Sequence, residues 1–176
     1  MKKFRLFLIA VFYLCFTMAA EPVKMMAAQA QETTQTYQLH ECTDDKLGVK
    51  FLCDPDWEIQ SGDNVMLIII NKNPSVTLTV AKSDTPVVFM EQLTNPVLQE
   101  LGQYQDGFRT QIVDLGGQQA IQVIGKSKEI ASAGLIDFYA IHDINLYSIL
   151  FLVDPRDSFA DYEALFGKIK ESFQFL

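Results

Sequence analysis

His40-x-Cys42 and Cys53 are the residues of this chain best suited to chemistry, with Asp44-Asp45 beside them. A histidine and a cysteine two apart on a strand point to the same face, so His40 and Cys42 can act together. Two cysteines can form a disulfide. A thiolate pair with an imidazole can instead hold a metal, with Asp44 or Asp45 as extra oxygen donors. Zinc sites usually carry Cys-x-x-Cys or a second histidine, and neither occurs here. The disulfide is the favoured reading, two free thiols the next, and a metal site with His40, Asp44 and Asp45 the weakest.

Few other residues invite catalysis. The sequence contains two histidines, His40 and His142. A nucleophile–base pair needs one of them beside a serine or cysteine, oriented by an acid. Asp143 follows His142, but "HDIN" (142–145) reads as a hairpin turn, and "LGGQQA" as a turn rather than a phosphate loop. Gly-x-Ser-x-Gly, Walker and Gly-x-Gly-x-x-Gly patterns are missing from the sequence. The chain therefore reads as a non-enzyme, with no catalytic residues and no cofactor.

The N-terminus decides which cysteine chemistry to expect. Lys2, Lys3 and Arg5 precede an uncharged apolar run, Leu6–Ala20. That run is shorter than the roughly 20 residues a spanning helix needs. Ala28-Gln29-Ala30 supplies small residues for a signal peptidase, so residues 1–30 are expected to be a signal peptide cleaved after Ala30. Cleavage nearer Ala20 and an uncleaved N-terminal anchor are the alternatives. Cys15 follows Tyr13-Leu14 and does not fit a lipoprotein site. Export, periplasmic or extracellular, leaves Cys42 and Cys53 in an oxidising compartment, where disulfides persist. It leaves no stable membrane span after cleavage.

Charge narrows the partners. The 176-residue chain carries 14 basic and 22 acidic side chains, a formal charge of −8. Cleavage removes Lys2, Lys3, Arg5, Lys24 and Glu21, which brings the charge to −11. Such a surface repels phosphate backbones, which argues against nucleic acid as a partner. Oligomeric state leaves no signal in the sequence.

The positioning elements can be read from periodicity. "QETTQT" (31–36) is a polar, flexible leader, and residues 37–176 are expected to be a single domain. "TYQLHEC" and "GVKFLC" read as a hairpin around "TDDKLG", in a register that sets Cys42 directly opposite Cys53. "NVMLIII" (64–70) reads as a strand buried on both faces, and "SVTLTVAK" (75–82) alternates cleanly. The two form a hairpin through "NKNP". Residues 84–107 change to a helical period, with caps at Thr85 or Asp84 and at Asn95, a break at Pro96 and a stop at Gly107. Strands resume over 108–128 around Gly116-Gly117, and two long strands over 132–154 flank "HDIN".

Pro155 ends the last long strand, and Asp157 or Ser158 is expected to cap a final helix. Phe159, Tyr162, Phe166, Ile169 and Phe173 recur at spacings of three and four, one apolar stripe that reads as core. The fold class is α+β: an antiparallel β-sheet flanked by helices.

Four segments together resemble the PsbP-like family of α/β/α sandwiches. They are "LGVKFLCDPDWEIQ" (47–60), "SVTLTVAKSD" (75–84), "LGGQQAIQV" (115–123) and the ending "LYSILFLVDPRDSFADYEALFGKIKESFQF" (146–175). The Pro-x-Trp spacing is one residue shorter than the family's commoner form. The resemblance covers roughly residues 37–175. It implies that Trp57 opens the strand after the first hairpin and packs under a helix. The family spans photosystem subunits, bacterial envelope proteins of the DcrB type and a Ran-binding import factor, so the fold implies no single activity. What its members share is protein binding without catalysis. The chain is thus expected to be a non-enzymatic interaction module of the cell envelope, an assembly or maintenance factor whose partner is an unidentified envelope protein. The alternative is a divalent-metal or small-ligand binding protein.

Overall fold

The computed structural model describes residues 36–83, 105–127 and 130–176, and Tyr37–Leu176 form one compact unit. Residues 84–104 of the helical stretch expected over 84–107, the expected signal peptide (1–30) and residues 31–35 of the expected leader lie outside the described residues.

The described strands make two antiparallel sheets. β1 (His40–Asp44) and β2 (Val49–Cys53) form the first hairpin, and β10 (Gln174–Phe175) joins the free edge of β2. The larger sheet runs in the order β3 (Glu58–Ser61), β4 (Val65–Lys72), β5 (Ser75–Lys82), β9 (Asn145–Asp154), β8 (Gly134–His142), β7 (Gln118–Ser127), β6 (Gln105–Leu115). Helix α1 (Phe159–Ser172) packs against both β9 and β2, so it connects the large sheet to the small one. The chain is α+β.

Two tight turns set the register of the large sheet. Gly116 and Gly117 join β6 to β7 at φ 59° and 80°. Asp143 and Ile144 join β8 to β9 at φ 47° and 65°. Positive φ at both central residues matches the right-handed twist of the flanking strands. Glycine tolerates it freely, whereas a β-branched residue such as Ile144 is strained there. Gly116 has a second constraint: a Cβ would sit 2.9 Å from the Phe173 carbonyl oxygen, so the turn closes against the chain leaving α1.

One face of the large sheet holds the main core. Val76, Leu78 and Val80 of β5 pair with Val153, Phe151 and Ile149 of β9, and all six are buried. Tyr162, Phe166 and Ile169 of α1 are buried against this face, with Phe151 and Phe166 ring centroids 4.5 Å apart. Phe159 is only partly buried and contacts the Phe166 ring edge-on at 5.6 Å. Phe173, just past the helix, stacks on Phe51 of β2 at 5.7 Å. Burying such rings removes large apolar areas from water, at roughly 25 cal/mol per Å².

Several local expectations are corrected. β1 begins at His40, because the residues before it serve the Asp54 turn described below rather than a ladder. β6 begins at Gln105, so Gly107 lies within a strand and stops no helix. α1 is entered through a 3-10 turn, Arg156–Ser158; Ser158 holds the expected N-cap position, but its side chain makes no capping hydrogen bond. On β4, Met66, Ile68 and Ile70 are buried while Leu67 and Ile69 are half-buried, and β9 shows the same asymmetry. These strands bury one face fully and the other in part.

Candidate functional site

The first hairpin carries the candidate site. Its turn is a four-residue loop, Asp45–Gly48, closed by the Gly48 N–H donating to the Asp44 carbonyl at 2.8 Å. Asp44 Oδ1 accepts the N–H groups of Lys46 and Leu47, each at 3.0 Å. Gly48 supplies the left-handed residue at φ 69° that such a loop needs. The arrangement buries Leu47 completely.

This loop overturns the expected register. Cys42 is paired with Phe51, and His40 with Cys53. A tighter turn through Leu47 and Gly48 would have set the cysteines opposite each other, but it would have exposed Leu47 and left the Asp44 carboxylate without its two donors. The cysteines are nevertheless joined by a disulfide, diagonally across the ladder, with Cα atoms 5.9 Å apart. That separation is within the usual range for a bridge.

His40 lies directly over the bridge. Its Nε2 is 3.5 Å from Cys42 Sγ and 3.8 Å from Cys53 Sγ. Asp44 and Asp45 do not join this group. Along β1, Asp44 is four residues from His40 and two from Cys42, about 13 Å and about 7 Å at strand rise, and its carboxylate is spent on the Lys46 and Leu47 N–H groups; Asp45 is exposed in the loop. The two aspartates are therefore removed as candidate ligands.

The segment "CDPDW" forms a second turn beside the bridge. The Trp57 N–H donates to the Asp54 carbonyl at 3.1 Å. The buried Asp54 carboxylate accepts N–H groups from Asp56, at 3.0 Å, and from Gln38. Pro55, with its fixed φ and no N–H, suits the turn. Trp57 is 7% exposed and meets Tyr37 edge-on, with ring centroids 6.0 Å apart. Burial, then the neighbouring Tyr162 and Asp54, push the Tyr37 phenol up to about 12. It therefore remains neutral at ordinary pH.

His142 ends β8, paired with Asn145. Its ring stacks on Phe175 at 4.9 Å, and its Nε2 lies 3.6 Å from Asp143 in the hairpin turn.

A buried carboxyl escaped the sequence reading. Asp137 on β8 is 4% exposed, on the face of the sheet opposite α1. Desolvation pushes it up to about 6, against hydrogen bonds from Tyr139, Ser148 and the Phe138 N–H. Ser148 Oγ donates to Asp137 Oδ1 at 3.0 Å. The signal was present: Asp137 is the one charge in the apolar strand "GLIDFYAI". Ile121 and Val123 are buried on the same face, with Tyr139, Ile141 and Leu146 against them.

No family model matches the sequence, and no curated protein matches it. Solved structures do match. Over 78% of this chain and 92% of the other, the fold superposes on PsbP (CyanoP) from Synechocystis sp. PCC 6803, with TM-score 0.56 and 16% identity. The Ran-binding protein Mog1p of Saccharomyces cerevisiae gives TM-score 0.54 at 9% identity, over 80% of this chain and 96% of that one. LpqN of Mycobacterium tuberculosis, described as involved in cell envelope biogenesis, gives 0.51 at 14%, over 78% and 90%. The chain therefore has the PsbP-like fold. Among the described residues, no helix is long and apolar enough to cross a membrane.

Proposed function

We propose that this protein is an exported, disulfide-bonded interaction domain of the cell envelope, acting in assembly or maintenance and without catalysis. The observation that carries this reading is the Cys42–Cys53 bridge on a PsbP-like fold. A structural disulfide belongs to an oxidising compartment, and the basic-then-apolar N-terminus offers the route there. In this reading cleavage follows Ala30 and one domain begins at residue 37.

The neighbours support an interaction role. LpqN is described by envelope biogenesis and Mog1p by Ran binding. The net charge of −11 left after cleavage favours a partner with a basic face, whose encounter rate falls with salt.

The test is crosslinking in intact cells of origin, with a C-terminal tag on the full chain and purification from the envelope fraction. The reading expects a discrete envelope protein to be crosslinked. Recovery of the chain only in the cytoplasm, with cytoplasmic proteins attached, would refute it.

A further inference from the structure

We propose that the first hairpin holds a redox-gated metal site: with the Cys42–Cys53 bridge reduced, His40, Cys42 and Cys53 bind one Zn²⁺. The site uses only residues of β1 and β2 and forms only when the bridge that supports the export reading above is reduced.

Geometry carries the inference. The His40 nitrogen and both sulfurs lie within 4.8 Å of one another. Zinc bonds of about 2.3 Å to sulfur and about 2.0 Å to nitrogen, at tetrahedral angles, set ligand–ligand edges of about 3.6 Å for N···S and about 3.8 Å for S···S. The two N···S edges are already 3.5 and 3.8 Å. Only the sulfur–sulfur edge has to open, from a bond of about 2.0 Å to about 3.8 Å.

The fold permits that one movement. Cys53 is 1% exposed on β2, the central strand of the small sheet, and stays fixed. Cys42 is half-buried on β1, an edge strand, where rotation about its Cα–Cβ bond disturbs no second ladder. The ladder itself aligns the set, since His40 is paired with Cys53 and Cys42 follows two residues later on the same face. His40 is exposed, which leaves the fourth position open to water.

Ligand chemistry selects the metal class. Two thiolates and an imidazole suit Zn²⁺, whereas calcium and magnesium require oxygen ligands. A dithiol reductant supplies the two electrons and two protons that convert the bridge to two thiols and is itself oxidised to a disulfide. Zn²⁺ then displaces both thiol protons, and His40 binds through Nε2 with its remaining proton on Nδ1.

The test uses the full chain with Cys15→Ser, so that Cys42 and Cys53 are its only cysteines. One sample is kept oxidised, and one is reduced with a phosphine that is then removed without air. Each is titrated with Co²⁺ as a spectroscopic probe and then with Zn²⁺. The reduced form is expected to take one equivalent of Co²⁺ with a sulfur-to-cobalt charge-transfer band, and to lose the band to one equivalent of Zn²⁺. Zn²⁺ uptake by the metal-free reduced form should release about two protons. The oxidised form should bind at least about a hundredfold more weakly, and His40→Ala in the reduced form should weaken binding more than about tenfold. Trp57 emission checks that reduction and substitution leave the domain folded. Equal binding by the oxidised and reduced forms, a charge-transfer band retained in a Cys42→Ser, Cys53→Ser double variant, or no loss of affinity in His40→Ala would each overturn the site.

Discussion

The Tyr147 hydroxyl donates a hydrogen bond to the main-chain carbonyl of Leu47 over 2.8 Å, with both residues buried. Tyr147 belongs to β9 of the large sheet and Leu47 to the loop of the disulfide hairpin, so this bond connects the two sheets. Phe175 of β10 contacts the same tyrosine ring edge-on at 5.0 Å, and the Leu176 N–H donates to the Gly48 carbonyl at 2.9 Å. The end of the chain is held against the loop that sets the hairpin register.

Tyr147→Phe should therefore destabilise the domain by about 1–3 kcal/mol, the cost of depriving a buried carbonyl of its donor. Urea unfolding measures it, with an unchanged slope expected. A loss below about 0.5 kcal/mol would mean that the bond does not join the sheets energetically.

Trp57→Ala should cost ~3–5 kcal/mol, in the range for buried aromatic truncations. The lone tryptophan also reports on itself: its emission should be blue-shifted in the native protein. A solvent-like maximum would reopen Trp57 as a contact residue for a partner.

Much of this architecture can be read in the sequence because it is local. The alternation of "SVTLTVAK", the Gly116-Gly117 turn and the Phe159-to-Phe173 stripe each depend on residues near one another. What was illegible depends on distant or competing contacts. The register of the first hairpin turns on the Asp44 carboxylate serving two loop N–H groups, which outweighs the simpler face-to-face pairing of the cysteines. β10 pairs with a strand more than 120 residues away, and nothing in "FQF" announces it. Of the candidate site, the His40–Cys42–Cys53 grouping was visible in the residue types. Its separation from Asp44 and Asp45 was not: it follows from the Asp44 carboxylate being taken up by two loop N–H groups and from Asp45 lying in the exposed turn.

Asp137 makes stability depend on pH. Its folded value of about 6 lies above its ordinary 3.8. Between these values the folded state holds the extra proton, so Asp137's contribution to stability is greatest below about pH 4 and is lost as pH rises through about 6. The amplitude is on the order of 2–3 kcal/mol. Asp137→Asn should flatten stability across that window while keeping an acceptor for Ser148. Equal slopes for the two proteins between pH 4 and 6 would contradict the assignment.

Reduction of the Cys42–Cys53 bridge should lower the melting temperature without unfolding the domain. The sequence separation is 11, and the chain-entropy model gives about 3 kcal/mol for such a loop, less if the hairpin persists when reduced. The large sheet and α1 hold most of the core and should survive. Calorimetry with and without reductant, in the presence of a chelator, isolates the covalent contribution. Complete unfolding on reduction would show that the hairpin is the keystone of the core.

The central claim, an exported and oxidised domain, is tested most directly by the intact mass of the protein recovered from its own cells. The account predicts a species in the envelope or medium fraction that lacks residues 1–30 and is lighter by two hydrogens than the same chain with Cys42 and Cys53 reduced. A full-length chain in the cytoplasm with both thiols free would contradict it.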